Sequence, residues 1–191
     1  MAFLPKDYKI PTQSRYMKFK EGANRFRILA DAIIGTEYWI EEEDDEGKQV
    51  RKPIRVKPNT SIPVKDITLN KFGNPSINHF WMFPVYNYES QKVQLLEITQ
   101  KKIMEAITAL INNPKWGDPK EYDIVVTRNE GEKVTYLTNP DPKEKIEKFI
   151  LEEYKSVPIN LDAIWEGKDP FKDTAMPLKG TEDVNPKDIP L

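Results

Sequence analysis

From Asn24 to Ile40, NRFRILADAIIGTEYWI, apolar and polar positions alternate: Phe26 and Ile28 fall on one side of an extended chain, Arg25 and Arg27 on the other. A period of two predicts a half-buried strand or a kinked strand pair. Gln49 to Lys57 alternates again, with Val50, Lys52, Ile54 and Val56 on one side and Arg51, Pro53, Arg55 and Lys57 on the other. Pro53 puts this strand at an edge or a bulge, because proline has no N–H for a central ladder. The intervening EEEDDEGK is a polar turn, so the pair predicts a long hairpin with an acidic tip. Pro58 to Asn78, rich in Pro, Asn and Ser, reads as a long ordered loop, and long loops in compact domains tend to be functional or mobile. His79 to Tyr88 and Lys92 to Ile98 read as two further strands joined by ESQ.

The period then changes. In TQKKIMEAITALINNP, Ile103, Ile107, Leu110 and Ile111 recur at three- and four-residue spacing, which predicts an amphipathic helix. Thr99 is placed to cap its start and Pro114 to stop it. Tyr122 to Arg128 and Val134 to Thr138 read as strands around the turn NEGEK. KEKIEKFILEEY predicts a short helix built on Ile146, Phe149 and Ile150. After Lys155 the chain is Pro-rich and acidic and reads as largely disordered.

Strands, then one helix, then two strands is the order of the five-stranded Greek-key barrel called the OB-fold, with its helix between the third and fourth strands. A generic α+β sandwich is the competing arrangement. The expected fold is therefore mainly β. It comprises an N-terminal arm at 1–15, a barrel at 16–140, a C-terminal helix at 141–155 and an acidic, partner-binding tail at 156–191.

Composition narrows the chemistry. The absence of cysteine removes disulfides, thiol nucleophiles and cysteine zinc sites. A single histidine, His79, argues against a histidine metal site or triad, so neither cofactor nor metal is expected. No apolar run reaches the roughly 18 residues of a membrane span, and MAFLPKDYK lacks the apolar core of a secretory signal. The cluster Glu41 to Glu46 could attract a divalent cation, but it lacks the D-x-D-x-D-G spacing of a calcium loop and reads as a solvated tip. NPDPKEK holds fragments of a nuclease metal site too close together to form one, so no enzyme activity is expected.

The net charge of −2 hides an asymmetry. Of 29 Lys+Arg and 31 Asp+Glu, 8 and 12 fall in residues 140–191, leaving 21 cations against 19 acids in the rest, and every arginine lies in that first part. A basic body with an acidic end suggests a nucleic-acid surface and a tail. Strand parity sharpens the idea. His79, Trp81, Phe83, Val85 and Asn87 share one side, and Phe80, Met82, Pro84, Tyr86 and Tyr88 the other. A small barrel needs one side for its core, so the other is expected to be a platform on the outer wall.

Unpaired bases stack on such rings for roughly 1–3 kcal/mol each, and neighbouring cations neutralise phosphates. The candidate contacts are Tyr38, Trp39, Arg51, Lys52, Arg55, Trp81, Tyr86 and Tyr88, with Arg25, Arg27, Lys57, Lys65 and Lys71 as phosphate partners. Any one of these rings, taken singly, reads first as packed core, and the case for a platform rests on their combination with the cations. Trp116, in a Gly-Asp-Pro turn, is placed to seal the barrel bottom.

The segments YMKFKEGANRFRIL, EYWI, HFWMFPVYNYESQKVQLLEITQKKI and WGDPKEYDIVVTR resemble those of bacteriophage-encoded single-stranded DNA-binding proteins with an OB-fold, over roughly residues 15–140. That resemblance implies an accessory of replication, recombination and repair that coats exposed strands in the cytoplasm of an infected bacterial host. It brings no catalytic residues. The end, NPKDIPL, resembles the terminal tip of bacterial single-stranded DNA-binding proteins. It implies a tip of Asp188, Ile189, Pro190 and Leu191 that docks on phage or host replication proteins. Leu191 stands where that family has an aromatic residue, and Lys187 interrupts the acids. A protein adaptor using the aromatic sheet, or an RNA-binding module, is the alternative.

Overall fold

The computed structural model describes residues 14–63, 65 and 67–171. Its elements run β1 (Tyr16–Met17), β2 (Gly22–Ile28), β3 (Ile33–Glu43), β4 (Gln49–Val56), β5 (Ile77–Asn87), β6 (Lys92–Ile98), α1 (Lys101–Ile111), β7 (Asp123–Asn129), β8 (Thr135–Pro140) and α2 (Lys148–Ser156). Short 3₁₀ turns lie at Pro119–Glu121 and Leu161–Glu166. The fold is mainly β, one mixed sheet in the order β1-β6-β5-β2-β7-β8, with β3 added beside β5 and β4 beside β3. Among the described residues only the β1–β6 pairing is parallel.

The described residues form eight strands, against six segments read from the alternation and five in the expected barrel, and α1 follows the sixth strand. Two causes account for the difference from six. The stretch from Asn24 to Ile40 is two strands. Its bend at Leu29–Ala32 shifts the chain along β5, from the Val85–Asn87 end paired with β2 to the Ile77–Met82 end paired with β3. In addition, β1 is a two-residue strand, too short for any periodicity to reveal.

The barrel-like core lies on the inner side of the sheet. Phe26 and Ile28 of β2, Phe83 and Val85 of β5, Leu96 and Ile98 of β6, and Tyr122 and Ile124 around β7 meet Ile103 and Ile107 of α1. The apolar stripe of α1 therefore faces inward as the spacing predicts, although its last member, Ile111, is exposed. Gln100, not Thr99, occupies the N-cap position, and its side chain makes no capping bond there. Asn112 closes the helix ahead of Pro114. Trp116 packs edge-on against Tyr122 at 5.3 Å and covers one end of this core.

The outer side of β5 and β6 carries a second apolar layer. Phe80, Met82 and Leu95 pack with Ile164 and Phe171, and Tyr86 and Val93 pack with Ile150 of α2. Residues 157–171, expected to begin a disordered tail, instead lie folded over this wall. Their few apolar side chains, Ile164, Trp165 and Phe171 among them, cover a surface that would otherwise expose rings to water. The helix α2 begins at Lys148, later than the apolar spacing implied, and Phe149 remains half exposed, edge-on to Tyr86.

Gly35 explains how closely the cover sits. A Cβ there would lie 2.6 Å from the Val56 carbonyl oxygen and 2.9 Å from the Trp165 ring, so only glycine lets the indole lie on β3.

Candidate nucleic-acid interface

Cross-strand partners share a side of a sheet, so the register sorts the expected contacts. Trp81 lies opposite Ile34, His79 opposite Thr36, and Ile77 opposite Tyr38. Val56, Ile54 and Lys52 extend the same side across β4. This side is continuous with the core side of the sheet: Trp81 packs partly buried against that core, and beyond it β3, β4 and the start of β5 continue as an arm. Ile34 is 46% and Ile77 43% exposed, and His79 is also exposed, so an apolar strip runs outward from the half-buried indole. Trp81 donates its Nε1–H to His79 Nε2 at 3.2 Å, which fixes both rings on the strip. Tyr38 shares this side but is buried, at 7% exposure, and presents no free ring face.

Behind Trp81 is a cleft of about 210 Å³, walled by Ile28, Ala32, Phe83, Ile107 and Ile111. Lys120 stands at its rim, bonded to Asp31, and that bond holds its ammonium above the ordinary lysine range. The cleft is apolar, and its rim carries the Lys120 ammonium already paired with Asp31 and Asp118.

The other expected contacts lie elsewhere. Tyr86 is 3% exposed and lies under α2, so it is no platform. Arg27, 3% exposed, is committed: its Nε donates to Asp123, and its Nη atoms donate to the carbonyls of Lys120 and Glu144. Arg25 pairs with Asp123 at 2.6 Å and with Asp141 at 3.2 Å, and its guanidinium lies over the Tyr88 ring at 4.5 Å. Tyr88 donates its hydroxyl to Asp123, and burial first, then that carboxylate, push the phenol up to about 12. These four residues form one network under the 141–147 segment. Their basic and aromatic character in the sequence reflects the attachment of that segment.

Trp39, Arg51 and Arg55 point to the opposite side of the arm from Trp81. Arg51 pairs with Glu41 and Lys52 with Glu42 across the hairpin, so these two cations are held by the first two acids of the cluster. Arg55 lies 2.7 Å from both Glu37 and Glu97. Two carboxylates share one guanidinium, which lies over the Phe80 ring, and burial, with Arg55 opposing and Glu37 adding, pushes the Glu97 carboxyl up to about 7.

Lys57, Lys65 and Lys71 are exposed, and none is in an ion pair among the described residues. All three lie on the connection between β4 and β5, which runs off the open arm. The structure thus brings Trp81 and Tyr38 to one face, with Lys52 at its outer end, and scatters the rest. Ile34, His79 and Ile77 belong to the strip and were not among the expected contacts; only the β3–β5 register identifies them. The tip residues Asp188, Ile189, Pro190 and Leu191 lie outside the described residues. No helix among the described residues is long and apolar enough to cross a membrane. No protein-family model, no curated protein and no solved structure matches the chain.

Proposed function

We propose that the protein binds single-stranded DNA without reading its sequence and serves phage DNA replication, recombination and repair as a coating protein, not an enzyme. The connectivity supports an OB-type barrel. With β2, β5, β6, β7 and β8 taken as barrel strands one to five, α1 falls between the third and fourth, and the β3–β4 arm becomes an insertion between the first and second. The usual binding wall of such a barrel, the outer face of strands two and three, is covered here by α2 and residues 157–171. Binding therefore moves to the inserted arm.

The observation that carries the reading is the strip from Trp81 through Ile34, His79 and Ile77, left exposed by the described residues, with lysines on the adjoining connection that make no ion pair among them. Stacking on the indole needs no hydrogen-bond code, and the lysines supply the sequence-independent attraction for phosphates. The C-terminal tip is proposed as the contact for phage or host replication proteins.

The test is a fluorescence titration with oligothymidylate at several salt concentrations. Binding should quench tryptophan, and the logarithm of affinity should fall linearly with the logarithm of salt. Trp81→Ala should cost about 1–3 kcal/mol of binding. Absence of binding at low salt, by anisotropy as well as by quenching, would overturn the proposal. Equal-length RNA is the control for the RNA reading, because stacking does not sense the 2′-hydroxyl. A salt-insensitive protein complex lost with Trp81→Ala would favour an adaptor instead.

A further inference from the structure

We infer that the hairpin from Ile67 to Ile77 carries a second stacking residue, Phe72, for an unpaired base, with Lys71 holding the adjoining phosphate. The inference rests on the single-strand reading above and adds a contact on a different element.

Phe72 is 76% exposed, more than any other large apolar side chain among the described residues. Burial would favour sequestering such a ring, and a ring at a loose loop tip could turn aside. This tip is held instead. Ile67 bridges to Ile40, and Leu69 bridges to Pro75. Thr68 donates its N–H to the Trp39 carbonyl, which ties the hairpin to β3. Across the turn, the Asn70 N–H donates to the Asn74 carbonyl at 2.7 Å, and the Gly73 N–H to the Asn70 carbonyl at 2.9 Å. The Asn70 side-chain oxygen accepts from the N–H groups of Phe72 and Asn74. Gly73, at φ 77°, takes the left-handed conformation that reverses the chain. The backbone of Phe72 is therefore fixed by the turn while its ring is left in water.

The surroundings specify the ligand. The Lys71 ammonium lies 5.0 Å from the Phe72 ring centre, and Lys65 and Lys57 precede it on the same connection. No Asp or Glu occurs between Ile67 and Tyr88. An exposed ring beside Lys71, which makes no ion pair among the described residues, on a hairpin from Ile67 to Ile77 that carries no carboxylate, suits a base and its phosphate. A purely apolar partner would leave the lysines without anions.

The experiment uses the full chain with Phe72→Ala, Phe72→Trp and Lys71→Ala, titrated with oligothymidylate and with the same strand carrying abasic sites. Phe72→Ala should weaken binding to the base-containing strand about tenfold and leave binding to a fully abasic strand unchanged. Phe72→Trp should retain affinity and add a fluorophore that DNA quenches. Lys71→Ala should lower the salt slope by about one.

Circular dichroism should match the parent for all three, since Phe72 contributes little to the core. If Phe72→Ala binds as the parent does while Trp81→Ala is weakened, this inference fails and the single-strand reading survives. If the parent itself does not bind, the single-strand reading fails and this inference with it. If Phe72→Ala loses equal affinity for base-containing and abasic strands, the ring is not stacking on a base and the inference is overturned.

Discussion

The two ends of β5 have opposite surroundings. From Met82 to Tyr86 the strand is covered on both sides: α1 and the inner core take Phe83 and Val85, while α2 and residues 157–171 take Met82 and Tyr86, and Phe80 is covered on the outer side alone. From Ile77 to His79 one side is open, and the apolar strip continues onto β3. Rings on both sides of a strand therefore do not identify a ligand platform. They indicate that two layers are needed, and here the second layer comes from the same chain, about 70 residues later in sequence. The open end is recognised by what the cover fails to reach.

The sharpest way to break this arrangement is at Asp123. Its carboxylate holds Arg25, Arg27 and Tyr88 together, and Arg27 is buried. Asp123→Ala should destabilise the fold by about 3–5 kcal/mol, because it leaves a buried guanidinium without its counter-charge. Chemical denaturation would measure it. DNA affinity of the molecules that remain folded should be unaltered, since none of these residues borders the open strip. Next in size is the cover itself: Ile164→Ala should cost about 2–4 kcal/mol by leaving a cavity over Phe80 and Leu95. Removing all of residues 156–191 should bare that wall and cause aggregation, whereas removing only 172–191 should leave the described fold intact.

Periodicity made the inner core legible. Phe26, Ile28, Ile103 and Ile107 announce their side by spacing alone, and they occupy it. The outer core was not legible, because its two halves are separated by the whole of β6, α1, β7 and β8, and nothing in Ile164 or Phe171 names Phe80 as a partner. The arginines misled for a related reason. Arg25 and Arg27 alternate with core residues as surface cations do, yet the carboxylate that takes them up, Asp123, lies on a strand nearly 100 residues later. For the candidate site, Trp81 and the free lysines could be chosen from the sequence. Ile34 and Ile77 required the register. Phe72 had a local signal, an aromatic ring in an Asn- and Gly-containing turn beside lysine, and composition alone gave no reason to weigh it above the rings of β5.

The carboxylate pair on Arg55 separates the covered and open regions by pH. Glu97 titrates near 7 in the folded protein and near its ordinary 4.5 when unfolded. Between those values the folded state binds the extra proton, so stability from this group is full below about 4.5 and is lost as pH rises through about 7. The loss is at most about 3 kcal/mol, since each tenfold difference in proton affinity is worth about 1.36 kcal/mol. Glu97→Gln, which mimics the neutral form, should flatten the stability profile over that window. An unchanged profile in the variant would show that the proton resides elsewhere. Binding on the open strip should not follow the same titration, because Glu97 faces the covered side.

The smallest expected effect is the most local. Gly35 lies on β3 between the open strip and the cover, with Ile34 on one side of the strand and Trp165 on the other. Gly35→Ala should cost about 1–3 kcal/mol, because the methyl group meets the Val56 carbonyl and the Trp165 ring at once. The backbone oxygen cannot withdraw without breaking the β3–β4 ladder, so the indole must move. The variant should therefore show red-shifted emission from a Trp165 newly in contact with water, while oligothymidylate still quenches Trp81. Replacing Trp165 with Leu in the same background should recover part of the lost stability, as a smaller side chain leaves room for the added methyl. If Gly35→Ala instead weakens DNA binding and leaves the emission wavelength unchanged, then the arm is disturbed and the cover is not, and the division of β3 into a covered and an open side is wrong.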